Sequence, residues 1–280
     1  MLERLRAAGR EVRTLTADDP AAAGAACHAA VREGAAALVA VGGDGTVHLG
    51  LQAVAGTRVA FGAVPAGTGN DFATDAGAPA DPLAAAAALA GALRDGRTRA
   101  LDLARMTGAD GRQRWYGAVL AAGFDAIVNE RANAMRFPRG PRRYDVAIAA
   151  ELLRLRTRRY SLRLDGRPLE VDAVLVAVGN TRSYGGGMRI CPAADATDGL
   201  LDVVVGADMG RITLVRLKPR LYQGTHTDHP LVSSYRAATV ELSAEGITGY
   251  ADGERAFALP VTITCVPGAL NLLDPAGPPA

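Results

Sequence analysis

Two glycine-rich segments near the amino terminus combine residue types that can hold a phosphate group. The first is Gly-Gly-Asp-Gly-Thr at residues 42–46, and the second is Pro-Ala-Gly-Thr-Gly-Asn-Asp at residues 65–71. Glycines let backbone N–H groups approach an anion, and a helix amino terminus behind them favours negative charge. Asp44 cannot face a bare phosphate because two anions repel. Its presence therefore implies Mg²⁺ between the two, or a hydroxyl that is phosphorylated nearby.

The second segment repeats these ingredients. Thr68 and Asn70 supply neutral polar contacts, and Asp71 supplies another carboxylate. A single glycine-rich turn with an aspartate cap is often purely structural, but two such turns on one sheet edge favour a ligand site. Neither segment fits the Walker phosphate loop or the G-x-G-x-x-G pattern of dinucleotide enzymes, which disfavours both classes of protein.

The elements around these segments alternate between helix and strand through the first 98 residues. This pattern predicts an α/β domain with a doubly wound parallel sheet. A helix is expected from Asp19 to about Gly34, and an apolar run over 36–41 predicts a strand covered on both faces. Shorter strands are expected over 11–15 and 58–64. Because the carboxyl ends of parallel strands meet at one edge, both glycine-rich segments should lie there together.

From about residue 99 the sequence is rich in strand-like segments. Helical segments interrupt them near 124–135, 143–157 and 210–223. The dipeptides Asp165-Gly166 and Asp252-Gly253 are typical of tight hairpin turns. The expected organisation is an α/β domain at 1–98, an antiparallel β-sandwich or barrel-like domain at 99–270, and a short tail at 271–280.

Length and charge exclude several classes of protein. A chain of 280 residues suits one large domain or two modest ones. Its 31 basic and 29 acidic side chains give a net charge of +2, which does not call for a nucleic acid partner. The most apolar stretch, Leu83 to Leu93, is too short to span a bilayer. Three scattered cysteines fit neither a zinc site nor a disulfide framework, so a reducing cytoplasm is the simplest location.

Four motifs, in this order, resemble the diacylglycerol kinase catalytic family, which includes soluble bacterial lipid kinases related to sphingosine kinases. They are GGDGT, PAGTGNDFA, the segment from Pro192 to Asp202, and the Asp252-Gly253-Glu254 turn. GGDGT alone is shared with NAD kinases and 6-phosphofructokinases, and the other motifs narrow the resemblance. It implies a nucleotide domain like that of 6-phosphofructokinase, a carboxyl-terminal β-sandwich, and an active site between them. It also implies transfer of the γ-phosphate of ATP to a lipid hydroxyl, with diacylglycerol as the first candidate.

The resemblance also implies roles for individual residues. Glu254 would be the general base for the lipid hydroxyl, and Asp44 with Asp71 would place the catalytic Mg²⁺. A second, structural Mg²⁺ would be held by the carboxylate of Asp198 and the backbone carbonyls of Asp195 and Leu200; a plain Asp-Gly turn without an ion is the alternative. The residues expected to line ATP are Thr16, Gly42, Gly43, Asp44, Gly45, Thr46, Val47, His48, Gly67, Thr68 and Asn70.

The sequence departs from the family pattern at two places. Family members usually begin with a strand that carries Asn-Pro, whereas this sequence begins on the helix that follows, which predicts either an upstream start or a sheet without that strand. His48-Leu49 stands where the family usually has Asn-Glu, a pair on which NAD kinases rely.

Three functions are open from the sequence: a lipid kinase, an NAD kinase relative, and a catalytically silent protein that binds lipid or nucleotide. A lipid kinase must reach a membrane, and arginines concentrated from Arg136 to Arg163 are candidates for peripheral contact with the inner face of the membrane. An ordinary solvated helix in an arginine-rich protein is the alternative. A homodimer is compatible with the sequence.

Overall fold

The computed structural model describes residues 1–137 and 142–275. The helices are α1 (Leu2–Arg6), α2 (Pro20–Arg32), α3 (Asp44–Val54), α4 (Asp71–Asp75), α5 (Pro82–Asp95), α6 (Phe124–Ala134), α7 (Arg142–Leu153) and α8 (Arg211–Gln223). The strands are β1 (Ala37–Gly42), β2 (Ala60–Pro65), β3 (Thr98–Gly108), β4 (Gln113–Tyr116), β5 (Val119–Gly123), β6 (Arg158–Leu164), β7 (Arg167–Gly179), β8 (Leu201–Ala207), β9 (Val232–Ala237), β10 (Thr239–Ala244), β11 (Thr248–Ala251), β12 (Glu254–Ala258) and β13 (Val261–Leu273).

The amino-terminal lobe is built on parallel strands whose carboxyl ends are level. β1 and β2 pair in parallel, with Gly42 opposite Pro65. Helices α2 and α5 begin at aspartate caps: the Asp19 and Asp81 carboxylates accept N–H bonds from residues three positions on, and proline occupies the first turn of each helix. The predicted helix from Asp19 is therefore confirmed. The two glycine-rich segments leave the sheet at the same edge.

Helices cover both faces of this parallel sheet. On β2, Phe61 and Ala63 pack with α3 on one face, while Ala60 and Val64 pack with α5 on the other. This alternation buries apolar side chains on both sides of one strand, as a doubly wound arrangement requires. The predicted α/β fold class is confirmed.

The last strand ties the two halves of the chain together. β13 runs antiparallel to β3 and β10, and its end at Asn271 and Leu272 runs parallel to β2. The described strands form one continuous sheet, in which β8 and β9 extend the antiparallel part. The main core of this antiparallel part packs Tyr116, Tyr160 and Leu162 into a sandwich-like interior. The boundary at residue 98 stays a prediction.

One local expectation was wrong. Residues 11–15 form no strand, because the segment pairs with none of the described strands, although Val12 packs on the α1–α5 side of the sheet and Leu15 on the opposite side.

The expected cover on both faces of β1 is confirmed for residues 37–40, because Leu38 and Ala40 pack on one side of the sheet and Ala37 and Val39 on the other. Among the described strands β1 forms one edge of the sheet, and Val41 is exposed.

Two sequence expectations fall partly beyond the described residues. The arginine-rich stretch from Arg136 to Arg163 includes residues 138–141, and the tail includes residues 276–280. No helix in the described parts of the chain is long and apolar enough to span a bilayer.

Candidate active site

The two glycine-rich segments touch each other at the edge of the parallel sheet. A Cβ atom placed on Gly67 would lie 2.4 Å from the Cα of Gly43, closer than any real contact. The N–H of Ala66 donates to the carbonyl of Gly42 at 2.9 Å, which fixes the two loops side by side. Only glycine fits at this approach, so the sequence pattern of both loops has a steric cause.

Asn70 closes the second loop on itself. Its side-chain oxygen accepts the N–H of Gly67, its amide donates back to the carbonyl of Gly67, and both distances are 2.9 Å. Asn70 adopts the left-handed conformation with φ 61°, which asparagine tolerates better than most residues. The backbone N–H of Asn70 then points at Asp44, whose Oδ2 accepts it at 3.0 Å. Thr68 lies exposed at the tip of this loop.

Asp44 and Asp71 form a close pair of carboxylates. Burial raises the pKa of Asp44, and the neighbouring charge of Asp71 raises it further. Burial likewise raises the pKa of Asp71. A Cβ atom on Gly69 would lie 2.4 Å from Asp44 Oδ2 and 3.4 Å from Asp71 Oδ2, so the absent side chain leaves room for both carboxylates. Two partly desolvated anions this close together make a site that favours a cation.

A third glycine-rich loop, which the sequence did not single out, supports Asp71 from the other lobe. The N–H groups of Gly186 and Gly187 donate to its two carboxylate oxygens at 2.8 and 2.6 Å, and these bonds lower its pKa against the effect of burial. Residues 185–187 all have positive φ, which explains three consecutive glycines. The three consecutive glycines are the sequence feature that could have indicated this loop. Its contact with Asp71 could not be predicted, because the two segments are more than a hundred residues apart.

Asp252 fixes the turn between β11 and β12. Its carboxylate accepts the N–H groups of Ala118 at 2.8 Å and Gly117 at 3.1 Å, and His48 Nδ1 lies 3.1 Å from the same carboxylate. Asp252 and Gly253 both have positive φ, so the predicted two-residue hairpin turn is present. His48 is buried and reaches this turn from α3. Its contact joins the two lobes directly beneath the candidate site.

Glu254 projects from that turn towards the first glycine-rich loop. Its Oε1 lies 2.8 Å from the position that a Cβ atom on Gly45 would occupy. Gly45 is in the first turn of α3, one residue after Asp44. An exposed carboxylate on a rigidly held hairpin therefore meets the amino terminus of a helix, with the Asp44–Asp71 pair beside it. This arrangement suits proton abstraction next to a phosphate-binding site.

Two domain families match the chain. The "Diacylglycerol kinase catalytic domain" matches residues 1–106, and the "YegS C-terminal NAD kinase beta sandwich-like domain" matches residues 118–274. A protein of Mycobacterium tuberculosis (strain CDC 1551 / Oshkosh) named "Diacylglycerol kinase" is 44% identical over 275 residues, which cover 98% of this chain and 88% of that protein. The chain belongs to the diacylglycerol kinase catalytic family.

Solved structures share the fold of this family member. A diacylglycerol kinase from Bacillus anthracis superposes with a TM-score of 0.71 at 19% identity, covering 97% of this chain and 88% of that one. An NAD kinase from Archaeoglobus fulgidus in complex with ATP gives a TM-score of 0.57 at 14% identity, with coverage of 98% and 88%. The predicted combination of a kinase-type α/β lobe and a β-sandwich is confirmed.

The donor set at the Asp44–Asp71 pair fits Mg²⁺. Within residues 1–137 and 142–275, no three or more His, Cys, Asp or Glu side chains gather closely enough to hold an ion by themselves. Mg²⁺ in kinase sites characteristically takes one or two carboxylates and completes its shell with water and substrate phosphates. The buried Asp71 and the half-buried Asp44, both with raised pKa values, meet that requirement in this diacylglycerol kinase family member.

The other residues predicted to line ATP differ in their exposure to solvent, and their roles stay predictions. Thr46 stands exposed in the first turn of α3, next to Gly42, whereas the Val47 side chain is buried and leaves only backbone for a ligand. Thr16 is exposed in the irregular segment before α2.

The predicted second cation site already contains a positive charge. The carboxylate of Asp198 pairs with Arg236 and accepts the N–H of Leu200 at 3.0 Å, while Asp195 accepts the N–H of Thr197. Arg236 Nε also lies 3.5 Å from the buried carboxylate of Asp202. An ion held by Asp198 would compete with this guanidinium.

The half-buried carboxyl of Asp125, beside the site, gives a pH-dependent prediction. Asp125 accepts the hydroxyl of Tyr184 at 3.0 Å, and burial raises its pKa to about 6. The folded protein is therefore more stable when Asp125 is protonated. This contribution to the free energy of unfolding is fully present below the ordinary pKa range of aspartate and is lost as pH rises through about 6, a change of about 3 kcal/mol.

We expect Asp125→Asn to remove this pH dependence, because the amide stays neutral and can still accept the Tyr184 hydroxyl. Thermal unfolding should show the variant more stable than the wild type at about pH 7.5, with little difference at about pH 4. Asp145→Asn, at an exposed position on α7, is the matched control. An unchanged gap between variant and wild type across this range would contradict the assignment.

Proposed function

We propose that this chain is an ATP- and Mg²⁺-dependent lipid kinase that transfers the γ-phosphate of ATP to the free hydroxyl of diacylglycerol, giving phosphatidic acid. The observation that carries the proposal is the position of Glu254. Its carboxylate comes from the β-sandwich and meets Gly45 at the start of α3, next to Asp44. The named relative from Mycobacterium tuberculosis supports the choice of diacylglycerol as acceptor.

The phosphates of ATP would lie over the first glycine-rich loop. The first turn of a helix leaves backbone N–H groups without partners inside the helix, and at α3 these groups follow directly on Gly42 and Gly43. Glycines 43, 45, 67 and 69 keep this edge free of side chains. Asp44 and Asp71 would hold the Mg²⁺, which neutralises charge on the β- and γ-phosphates when bound.

Glu254 would act on the acceptor. It takes the proton from the lipid hydroxyl as that oxygen forms a bond to the γ-phosphorus, and the bond from the γ-phosphorus to the β-phosphate oxygen breaks to release ADP. The hydrogen bonds of Asp252 to Gly117 and Ala118 hold the hairpin that carries Glu254. Base and phosphate site come from different lobes, so the acceptor would enter between them.

The remaining parts of the proposal concern the surroundings of the reaction. A diacylglycerol substrate requires peripheral contact with the inner face of a membrane. A second Mg²⁺, held by Asp195, Asp198 and Leu200, would have to displace Arg236 from the carboxylate of Asp198.

The proposal is tested by offering γ-labelled ATP and Mg²⁺ with separate acceptors: diacylglycerol, a sphingoid base, and NAD. Label in phosphatidic acid, with little in the other products, is the expected result. Label in NADP would instead identify an NAD kinase. Thermal stabilisation by Mg-ATP without any labelled product would identify a catalytically silent binding protein.

A further inference from the structure

Helix α8 has two apolar stripes, and only one of them packs against the protein. Leu214, Leu217 and Leu221 face the interior and join the clusters around Val174 and Ala177. The second stripe follows the same helical spacing on the outer face. It consists of Ile212, Val215, Pro219 and Tyr222.

This outer stripe is unusually exposed for large apolar side chains. Ile212 is 70% exposed, Val215 is 52% exposed and Tyr222 is 48% exposed. Leu153, at the end of α7, is also 70% exposed, and the Arg211 guanidinium donates to its backbone carbonyl at 2.6 Å. The end of α7, with its exposed Leu153, therefore lies beside the start of α8. Contiguous exposed apolar surface indicates contact with a partner.

The charges on α8 all have one sign. The helix carries Arg211, Arg216, Lys218 and Arg220 and no acidic residue, and Lys218 is the only lysine of the chain. Arg220 has an acidic neighbour in Asp228 at 3.8 Å, while the other three lie on the exposed side with the apolar stripe. Basic residues flanking an apolar stripe are typical of helices that lie in the interface of an anionic bilayer.

Helix α8 is joined to the candidate active site by a short path. The N–H of Arg189 donates to the carbonyl of Leu221, next to Tyr222, at 2.9 Å. Two residues earlier, Gly187 donates its N–H to Asp71. The carboxyl-terminal end of α8 is therefore one hydrogen bond away from the segment that follows the Gly185–Gly187 loop, which supports the candidate metal-binding carboxylate.

We propose that the outer face of α8 is a docking surface for an anionic lipid bilayer. Its apolar stripe enters the interfacial region while Arg211, Arg216 and Lys218 meet lipid phosphates, which brings the Gly185–Gly187 loop and the candidate site that it supports towards the membrane that contains the substrate. The proposal deepens the proposed lipid kinase function and rests on it for the need to reach a membrane. A second copy of this chain fits less well, because two such faces would bring like charges together.

Sedimentation with vesicles tests this surface directly. We expect the wild type to pellet with vesicles of phosphatidylglycerol and phosphatidylcholine, and to pellet much less with phosphatidylcholine alone or at high salt. Ile212→Ser with Val215→Ser should weaken binding to the anionic vesicles about tenfold or more. Leu83→Ser, which removes a side chain of similar exposure on α5, should leave binding unchanged.

A second variant tests the charges and covers the case in which the apolar double variant fails to fold. Arg216→Glu with Lys218→Glu should also weaken binding to anionic vesicles at least about tenfold. Equal pelleting of the wild type with neutral and anionic vesicles, or full binding by this charge-reversed variant, would overturn the proposal. So would a dimer of the wild type in sedimentation velocity that either α8 variant converts to monomer.

Activity on a short-chain diacylglycerol in solution separates this proposal from the proposed function. The α8 variants should phosphorylate the dissolved substrate at the wild-type rate while losing activity on diacylglycerol in anionic vesicles. Loss of activity on both forms would contradict a docking role. If the wild type phosphorylates neither form yet still binds anionic vesicles through α8, the kinase proposal fails and the docking surface stands.

Discussion

Glu254→Gln is expected to lower the rate of phosphate transfer by about a hundredfold to ten-thousandfold while Mg-ATP still binds with nearly unchanged affinity. The carboxamide fills the same space beside Gly45, so the loop geometry is kept. It cannot accept the proton of the lipid hydroxyl. The loss should therefore appear in kcat rather than in nucleotide binding.

The measurement is single-turnover transfer from γ-labelled ATP, together with equilibrium binding of Mg-ATP. Glu241→Gln provides the control, because Glu241 is an exposed carboxylate on β10 in the same part of the protein. A Glu254→Gln variant that turns over at more than about a tenth of the wild-type rate would exclude a general base at this position.

Asp44→Asn is expected to have two opposite effects. Activity should fall by about a hundredfold or more, because a neutral amide is a poor ligand for Mg²⁺ next to ATP phosphates. Stability should rise. Burial and the charge of Asp71 raise the pKa of Asp44, so the folded protein disfavours the charged carboxylate that is present at neutral pH. The amide removes that charge and can still accept the N–H of Asn70.

The sign of this stability effect gives a sharp test by thermal unfolding without nucleotide or metal. The melting temperature of Asp44→Asn should exceed that of the wild type at neutral pH, and the gap should vanish towards the acid range where wild-type Asp44 is protonated. Asp81→Asn is the matched control, since the Asp81 carboxylate also accepts a backbone N–H at a helix start. A melting temperature below that of the wild type would mean that Asp44 is structural.

The Asp44–Asp71 pair lowers the stability of the protein alone in order to form a cation site beside a phosphate. Asp44 and Asp71 are held close together by backbone bonds from Asn70, Gly186 and Gly187. Their mutual repulsion opposes folding of the protein alone, and a bound cation would relieve it. Binding of Mg-ATP should therefore stabilise the fold beyond the effect of nucleotide contacts.

Much of this site could be predicted from the sequence because its parts are local. The glycine-rich loops follow buried strands, and parallel strands place their carboxyl ends at one edge, so the approach of Gly43 to Gly67 follows from topology. The Asp252-Gly253 turn is equally local, since its two positive φ angles have a sequence signature.

The parts that the sequence did not predict depend on contacts between distant segments. The Gly185–Gly187 loop reaches Asp71 across more than a hundred residues, and nothing in either segment encodes the pairing. The return of β13 to the parallel sheet beside β2 is similar. The sequence also did not predict that His48 lies buried against Asp252 of the β11–β12 turn, and its expected contact with ATP stays a prediction. That contact is visible only once both lobes are in place.

The most direct test of the central claim is transfer of labelled γ-phosphate from ATP to a short-chain diacylglycerol in solution, with wild type and Glu254→Gln compared side by side. The account predicts labelled phosphatidic acid from the wild type and, from the variant, a rate at least about a hundredfold lower. Equal rates from the two proteins, or no labelled lipid from a wild type that binds Mg-ATP, would contradict it.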